Sequence, residues 1–207
     1  MNRQRGSKPV IGVVGGIGAG KSTAAAELVE LGCILVDADV IGHELLGEAE
    51  VQQALRRRWG EGVFTPEGHV DRKAVASRVF ADPAELAALN RIMHPRIGRR
   101  MQRRVADALA DPGAAGVVVD AAVLLEAGWD DLCTHLVFVA AGDEQRCRRA
   151  SEQRGWDRRT WRQREKSQIS LDKKLAKCDY TVDNSSSASR LREQIRQLFY
   201  QLVRAGD

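Results

Sequence analysis

The stretch Val10-Ile11-Gly12-Val13-Val14-Gly15-Gly16-Ile17-Gly18-Ala19-Gly20-Lys21-Ser22-Thr23 decides how this chain is read. Its first five residues form an apolar, largely β-branched run of the kind a buried parallel strand needs. Gly15 to Ser22 then fit the pattern G-x-x-x-x-G-K-[ST]. The segment Ser22-Thr23-Ala24-Ala25-Ala26-Glu27-Leu28-Val29-Glu30-Leu31 follows as a predicted helix, closed by Gly32. A strand before and a helix after are the context in which this pattern is a phosphate-binding loop. Glycines let backbone N–H groups turn inward around phosphate oxygens, and the helix start adds its positive dipole end. Lys21 is expected on the β- and γ-phosphates and the Ser22 hydroxyl on magnesium, with Gly16, Ile17, Gly18, Ala19, Gly20 and Thr23 completing the nucleotide site. The chain is therefore expected to bind ATP or GTP together with Mg2+.

Outward from the loop, Cys33-Ile34-Leu35-Val36 is a second apolar strand that ends in Asp37-Ala38-Asp39. The result is a β-α-β unit with ligand-facing residues at the carboxyl ends of its strands. From Val40 to about Asp111 the pattern turns helical. Helices are expected over Arg72 to Phe80 and Pro83 to Met93, with a break at His94-Pro95 before another long helical stretch. Further strands are expected at Gly116 to Asp120, His135 to Val139 and Tyr180 to Asp183, and Ala188 to Arg204 reads as a closing amphipathic helix. Strands alternating with helices point to an α/β fold of three layers, with a parallel five-stranded sheet covered on both faces.

Bulk properties agree with one globular core carrying inserted subdomains. The chain has 207 residues, 43% hydrophobic and 29% charged, which is enough to bury a full core and unlike a disordered composition. No apolar run approaches a membrane span. The polar start, Met1 to Pro9, lacks the apolar stretch of an export signal, so the cytoplasm is the expected address. Cys33, Cys133, Cys147 and Cys178 lie far apart without a C-x-x-C pair, which suggests neither zinc nor a disulfide framework. The net charge of +4 is unevenly placed, with basic residues crowding from Arg146 to Lys177. Such a cluster is a solvated helix face, a phosphate-collecting surface or a nucleic-acid footprint.

Motifs narrow the choice. A GTPase would carry an Asn-Lys-x-Asp guanine-reading motif and an Asp-x-x-Gly switch, and neither pattern occurs here. A compact P-loop kinase needs a base for an acceptor hydroxyl and mobile arginines for the transferring phosphoryl group. Asp37 and Asp39 follow the second strand, where a carboxylate takes the acceptor proton, holds a magnesium-bound water or simply caps a helix. Asp120 ends a strand as a Walker-B-type magnesium partner does, with a turn residue as the bland alternative. Glu126 is ambiguous, and His94 is either an acceptor-phosphate contact or a structural hydrogen-bonder. Beside a P-loop the arginine-rich stretch reads as a closing lid, with Arg148, Arg154 and Arg164 as its phosphate-facing members and most of the other cations as solvated charge. Trp156 and Trp161 read as lid packing.

Taken together, several segments resemble the dephospho-coenzyme A kinase family over nearly the whole chain. Gly15 to Thr23 is similar to that family's P-loop, and Val36-Asp37-Ala38-Asp39 to its second-strand signature. Gly68-His69-Val70-Asp71-Arg72, Val79-Phe80, Leu89-Asn90 and His94-Pro95 resemble its helical acceptor-binding insert. Gln145 with Arg148 resembles the helix leading to the lid, and Arg164 through Gln168, Lys174, Asp179 and Asn184 resemble the lid and the return to the adenine side. The chain departs from the family at Ala122, where Pro is usual, at Ser186, where Gly is usual, at Cys178 in place of Ala, and in the longer spacing from Arg148 to Arg154.

The resemblance implies ATP-dependent phosphorylation of the ribose 3′-hydroxyl of dephospho-CoA, the final step of coenzyme A synthesis. It places the base on Asp39 rather than Asp37, and the nucleotide on Gly16 to Thr23 and Asn184. Arg148 and Arg154 would act with Lys21 in transfer, while Arg72, His94 and Arg164 join Asp39 in holding substrate. Magnesium would sit on Ser22 with Asp120. Expected domains are a nucleotide-binding core (1–39, 112–145 and 179–207), an acceptor subdomain (40–111) and a basic lid (146–178). The expected partners are ATP and dephospho-CoA, with no nucleic acid and no membrane, and a monomer is the expected state. Another nucleoside or nucleotide kinase, or a nucleotide-regulated RNA-binding module, are the rival readings; the former leaves the insert motifs unexplained, and the latter lacks an aromatic-bearing sheet.

Overall fold

The structure, a computed structural model, describes residues 8–204. The N-terminal residues 1–7, read above for an export signal, lie outside the described residues. Among the described residues no helix is long and apolar enough to cross a membrane.

Five strands form one parallel sheet: β1 (Val10–Val14), β2 (Cys33–Asp37), β3 (Gly116–Asp120), β4 (His135–Ala140) and β5 (Tyr180–Asp183), in spatial order β2-β3-β1-β4-β5. The P-loop strand β1 is central, and its residues are buried throughout. This is why the strands read as continuous apolar runs rather than alternating ones: both faces are covered. Ile11 and Val13 share one core with Val118, Val137, Val139 and Val182 and with helices α1 (Lys21–Glu30) and α9 (Ala188–Arg204). In α9 the buried positions Leu191, Ile195, Leu198, Phe199 and Leu202 recur every three or four residues, the spacing of one helix face. A second, smaller cluster joins Ile17 of the P-loop to Ala150 and Trp161. Those residues lie on α6 (Asp143–Arg154) and α7 (Arg158–Lys166), which precede the short α8 (Leu171–Lys177).

The chain divides into two compact units, one holding the segments up to Asp37 and from Arg104 onward, the other Ala38–Arg103. The second unit contains α2 (Ala38–Leu45), α3 (Ala49–Trp59), α4 (Arg72–Ala81) and the first part of α5 (Pro83–Ala110). Ile41, Leu45, Val51, Leu55, Val63, Val75 and Val79 are buried there. Arg58 and the Trp59 indole N–H meet the two oxygens of Glu85, both at 2.5 Å.

One expectation needs correction. The break at His94-Pro95 does not occur, and α5 is a single helix of 28 residues with Pro95 inside it. An interior proline removes one backbone hydrogen bond and costs about 3 kcal/mol. Burial offsets that cost: Ala88, Met93, Ile97, Met101, Val105 and Ala108 continue one buried stripe across the proline.

Candidate active site

The P-loop turns directly from the carboxyl end of β1 into α1. Gly20, at the N-cap position of α1, has φ 95°, a left-handed conformation that side chains other than glycine's rarely adopt. Among the described residues no side chain caps this helix start, and the first N–H groups of a helix are the ones that can meet an anionic ligand. Ser22 and Thr23 follow in the exposed first turn. Asn184, buried after β5, donates to the Ala19 carbonyl at 2.8 Å, and Arg149 donates to both the Ala19 and Asn184 carbonyls at 3.4 and 3.0 Å. The sheet order thus brings residues 19 and 184 together, because β4 separates β1 from β5 by a single strand.

Lys21 folds back over the loop and donates to the Gly15 and Gly16 carbonyls at 3.2 and 3.1 Å. Burial lowers its ammonium pKa from 10.5 to about 8; Asp120 opposes that shift, while Lys174 and Arg154 reinforce it. Asp120 ends β3, in register with Val13 of β1 on one side and Asp37 of β2 on the other. Its Oδ2 accepts from the Ser22 hydroxyl at 3.0 Å. A hydroxyl and a carboxylate oxygen this close are a hard-oxygen donor set that suits Mg2+. Among the described residues no cluster of three or more His, Cys, Asp or Glu could hold a metal ion.

The basic stretch separates into distinct groups. Arg154 and Arg164 both stack on the Trp156 indole, at 5.0 and 4.9 Å from the ring centre. Desolvation and the nearby Arg154 charge lower the Arg164 pKa. Lys174 is only 2% exposed; it pairs with Glu126 at 3.1 Å and donates to Gln168 at 2.7 Å. Arg148 stands apart on the exposed side of α6, lining a cavity of about 650 Å³ with Gly142, Gln145 and Ser185. Arg146 and Lys174 are therefore exceptions to the expectation that most of the remaining lid cations are solvated. Arg146, Arg149 and Ala150 repeat at helical spacing on the face of α6 turned to the P-loop, a period that could have marked them. Lys174 carries no such local signal, since the carboxylate that pairs with it, Glu126, comes from a distant part of the chain.

In the other unit, Asp39 is exposed in the first turn of α2, two residues beyond β2. Arg72 begins α4 immediately after its N-cap, Asp71, whose carboxylate accepts from the Lys73 and Ala74 amides. Arg72 lines a cavity of about 340 Å³ with His43, Gln52 and His69. His94, half-buried on α5, is not among those lining residues, and desolvation holds its pKa below the usual 6.5.

Comparison with known proteins fits this geometry. The dephospho-CoA kinase family model matches residues 9–190. The dephospho-CoA kinase of Syntrophotalea carbinolica is 37% identical over 195 residues, 94% of this chain and 92% of that protein. Among solved structures, TT1252 from Thermus thermophilus superposes with a TM-score of 0.78 at 28% identity, over 95% of this chain and 98% of that one. Dephospho-CoA kinase from Campylobacter jejuni shares the fold, with a TM-score of 0.71 at 22% identity over 96% and 98% of the two chains. With the P-loop, its Ser22–Asp120 pair and an almost full-length match in agreement, the chain belongs to the dephospho-CoA kinase family.

Proposed function

We propose a division of labour among these residues for the family's reaction, in which ATP phosphorylates the ribose 3′-hydroxyl of dephospho-CoA in the final step of CoA biosynthesis. One observation carries transfer over nucleotide-switched signalling: Lys174 lines one pocket with Lys21 and Gly15 of the P-loop, while Arg154, whose charge also acts on Lys21, shares the Trp156 indole with Arg164. Negative charge spreads over the γ-phosphoryl oxygens during transfer, and preorganised cations in a partly desolvated site stabilise it without reorganising. The amides from Gly18 to Thr23 hold the triphosphate, with Gly16 and Ile17 shaping the turn that presents them, and Lys21 leaves the Gly15 and Gly16 carbonyls to meet it.

Ser22 and Asp120 would hold Mg2+, which when bound neutralises phosphate charge. Asp39 receives the proton of the acceptor hydroxyl, and its exposed place in the first turn of α2 leaves the carboxylate accessible to that group. Residues 40–111 serve as the acceptor subdomain, where Arg72 with its His43, His69 and Gln52 neighbours grips a phosphate of the acceptor, and His94 adds a hydrogen bond to it. Residues 146–178 act as the lid over the nucleotide. Arg148, which lines the larger cavity with Ser185, serves the nucleoside end of ATP instead of the transfer expected of it from the resemblance, and Asn184, bonded to the Ala19 carbonyl, fixes the loop on that side. The protein acts in the cytoplasm as a monomer.

The test is acceptor-dependent ADP release. ADP should form from Mg–ATP with dephospho-CoA at least about a hundredfold faster than with nucleosides or pantetheine. Equal rates with and without dephospho-CoA would overturn the assignment. Tight, salt-sensitive RNA binding without turnover would favour the RNA-binding alternative.

A further inference from the structure

The backbone of Ile17 is held from outside the P-loop at both ends. Its N–H donates to Glu165 Oε2 at 3.1 Å. Its carbonyl accepts from the Trp161 indole N–H at 3.2 Å and from Arg146 Nη1 at 3.4 Å. Arg146 Nη1 also meets Glu165 Oε1 at 2.5 Å, and Nη2 meets Asp143 at 2.7 Å. The Arg146 guanidinium lies 5.0 Å from the Trp161 ring centre and is 2% exposed. A buried ion pair is expensive to desolvate and often no more stabilising than apolar residues of the same size. Stability alone is therefore a weak reason for an Arg–Glu pair drawn from two helices to be buried against one loop residue.

The loop glycines fit around this pair. A Cβ at Gly16 would stand 2.1 Å from Arg146 Nη1 and 2.8 Å from Glu165 Oε1. One at Gly18, where φ is 79°, would stand 2.2 Å from the Arg146 carbonyl oxygen. These two glycines accommodate the helices behind the loop as well as the phosphates expected in front of it.

We infer that Glu165 is a positioning residue, which with Arg146 and Trp161 braces the Ile17 peptide and keeps the amides that follow aimed at the ATP phosphates. The brace touches no reacting atom. It lowers the ordering cost of nucleotide binding, because the loop holds its conformation before ATP arrives, and it ties that conformation to α7 of the lid. The inference rests on the P-loop being the ATP-phosphate site; it does not depend on the identity of the acceptor.

The decisive variant is the double replacement Arg146→Met with Glu165→Leu, which exchanges the buried ion pair for apolar side chains and removes both the Glu165 and the Arg146 bonds to Ile17. Such exchanges leave folding stability near the starting value. Mg–ATP affinity is read by titration calorimetry in the absence of acceptor, so a wrong acceptor assignment leaves this test intact. The double variant should melt within a few degrees of the wild type, bind Mg–ATP about tenfold or more weakly, and keep its KM for dephospho-CoA within about twofold. Exchange of the Ile17 amide with deuterium should accelerate selectively.

Glu165→Gln, which retains an acceptor for the Ile17 N–H but not the charge paired with Arg146, should fall between the two in ATP affinity, and it carries the test should the double variant not fold. Unchanged ATP affinity in the folded variant would reduce the pair to a packing element. Tighter ATP binding would show instead that Glu165 occupies a place that phosphate must take, which also overturns the brace.

Discussion

At the residue scale, Lys21 makes the site sensitive to pH in a direction that can be worked out. Its ammonium has a pKa of about 8 in the folded protein against 10.5 unfolded, chiefly through burial. Between those values the unfolded chain binds more protons, so this group's contribution favours folding increasingly as pH rises through the window. Bound phosphates favour the charged lysine and raise its pKa, so ATP binding above about pH 8 should take up a proton. Titration calorimetry at about pH 8.5 in buffers of different ionisation enthalpy should show net proton uptake that vanishes near pH 6.5; none at the higher pH would remove Lys21 as the titrating group. Asp39 supports a second prediction. Asp39→Asn should fold and bind Mg–ATP normally while kcat drops by about two to four orders of magnitude. Turnover within a few-fold of wild type would exclude Asp39 as the base. Asp39 was visible in the D-A-D run after an apolar strand, whereas Glu165 was not: its partner Ile17 is 148 positions away, and no local spacing announces such a contact.

At the scale of elements, two helices show how local rules and tertiary context share control. The Asp71 cap of α4 satisfies two amides that the helix leaves unpaired, and it fixes where Arg72 starts. Asp71→Ala should cost about 1 kcal/mol by urea unfolding. It should also raise the KM for dephospho-CoA more than that for ATP, since Arg72 would be less well held; equal effects on both would argue against an acceptor role for Arg72. In α5 the local rule fails. Proline predicts a break, yet a buried stripe from Ala88 to Ala108 carries the helix through Pro95. Propensity is summed over a few residues, while burial is summed over the whole helix face, and here the longer sum wins.

For the whole molecule, the sheet order decides which chain segments meet. Placing β1 between β3 and β4 sets Asp120 beside Ser22 and brings Asn184 to the Ala19 carbonyl. The closing helix α9 helps hold that arrangement, with Ile195 fully buried in the principal core. Ile195→Ala should destabilise the protein by about 2–5 kcal/mol in urea with the m-value unchanged. A change below about 0.5 kcal/mol would mean that α9 is not part of the cooperative core.

The sequence by itself determined the loop, the five strands and the acidic residues at their ends. Those features are written in short windows: β-branched runs, glycines where φ is positive, and a lysine-serine pair at a helix start. Resemblance over the insert motifs then supplied the acceptor. Only the tertiary structure separated the cations that line α6, α7 and α8 into working groups. It buried Arg146 and Lys174 in ion pairs, stacked Arg154 and Arg164 on one indole, and left Arg148 on a different cavity. The reason is physical: whether an arginine is solvated, paired or aimed at phosphate depends on the carboxylates and rings that distant segments bring to it, and a charge run in sequence carries no record of those partners.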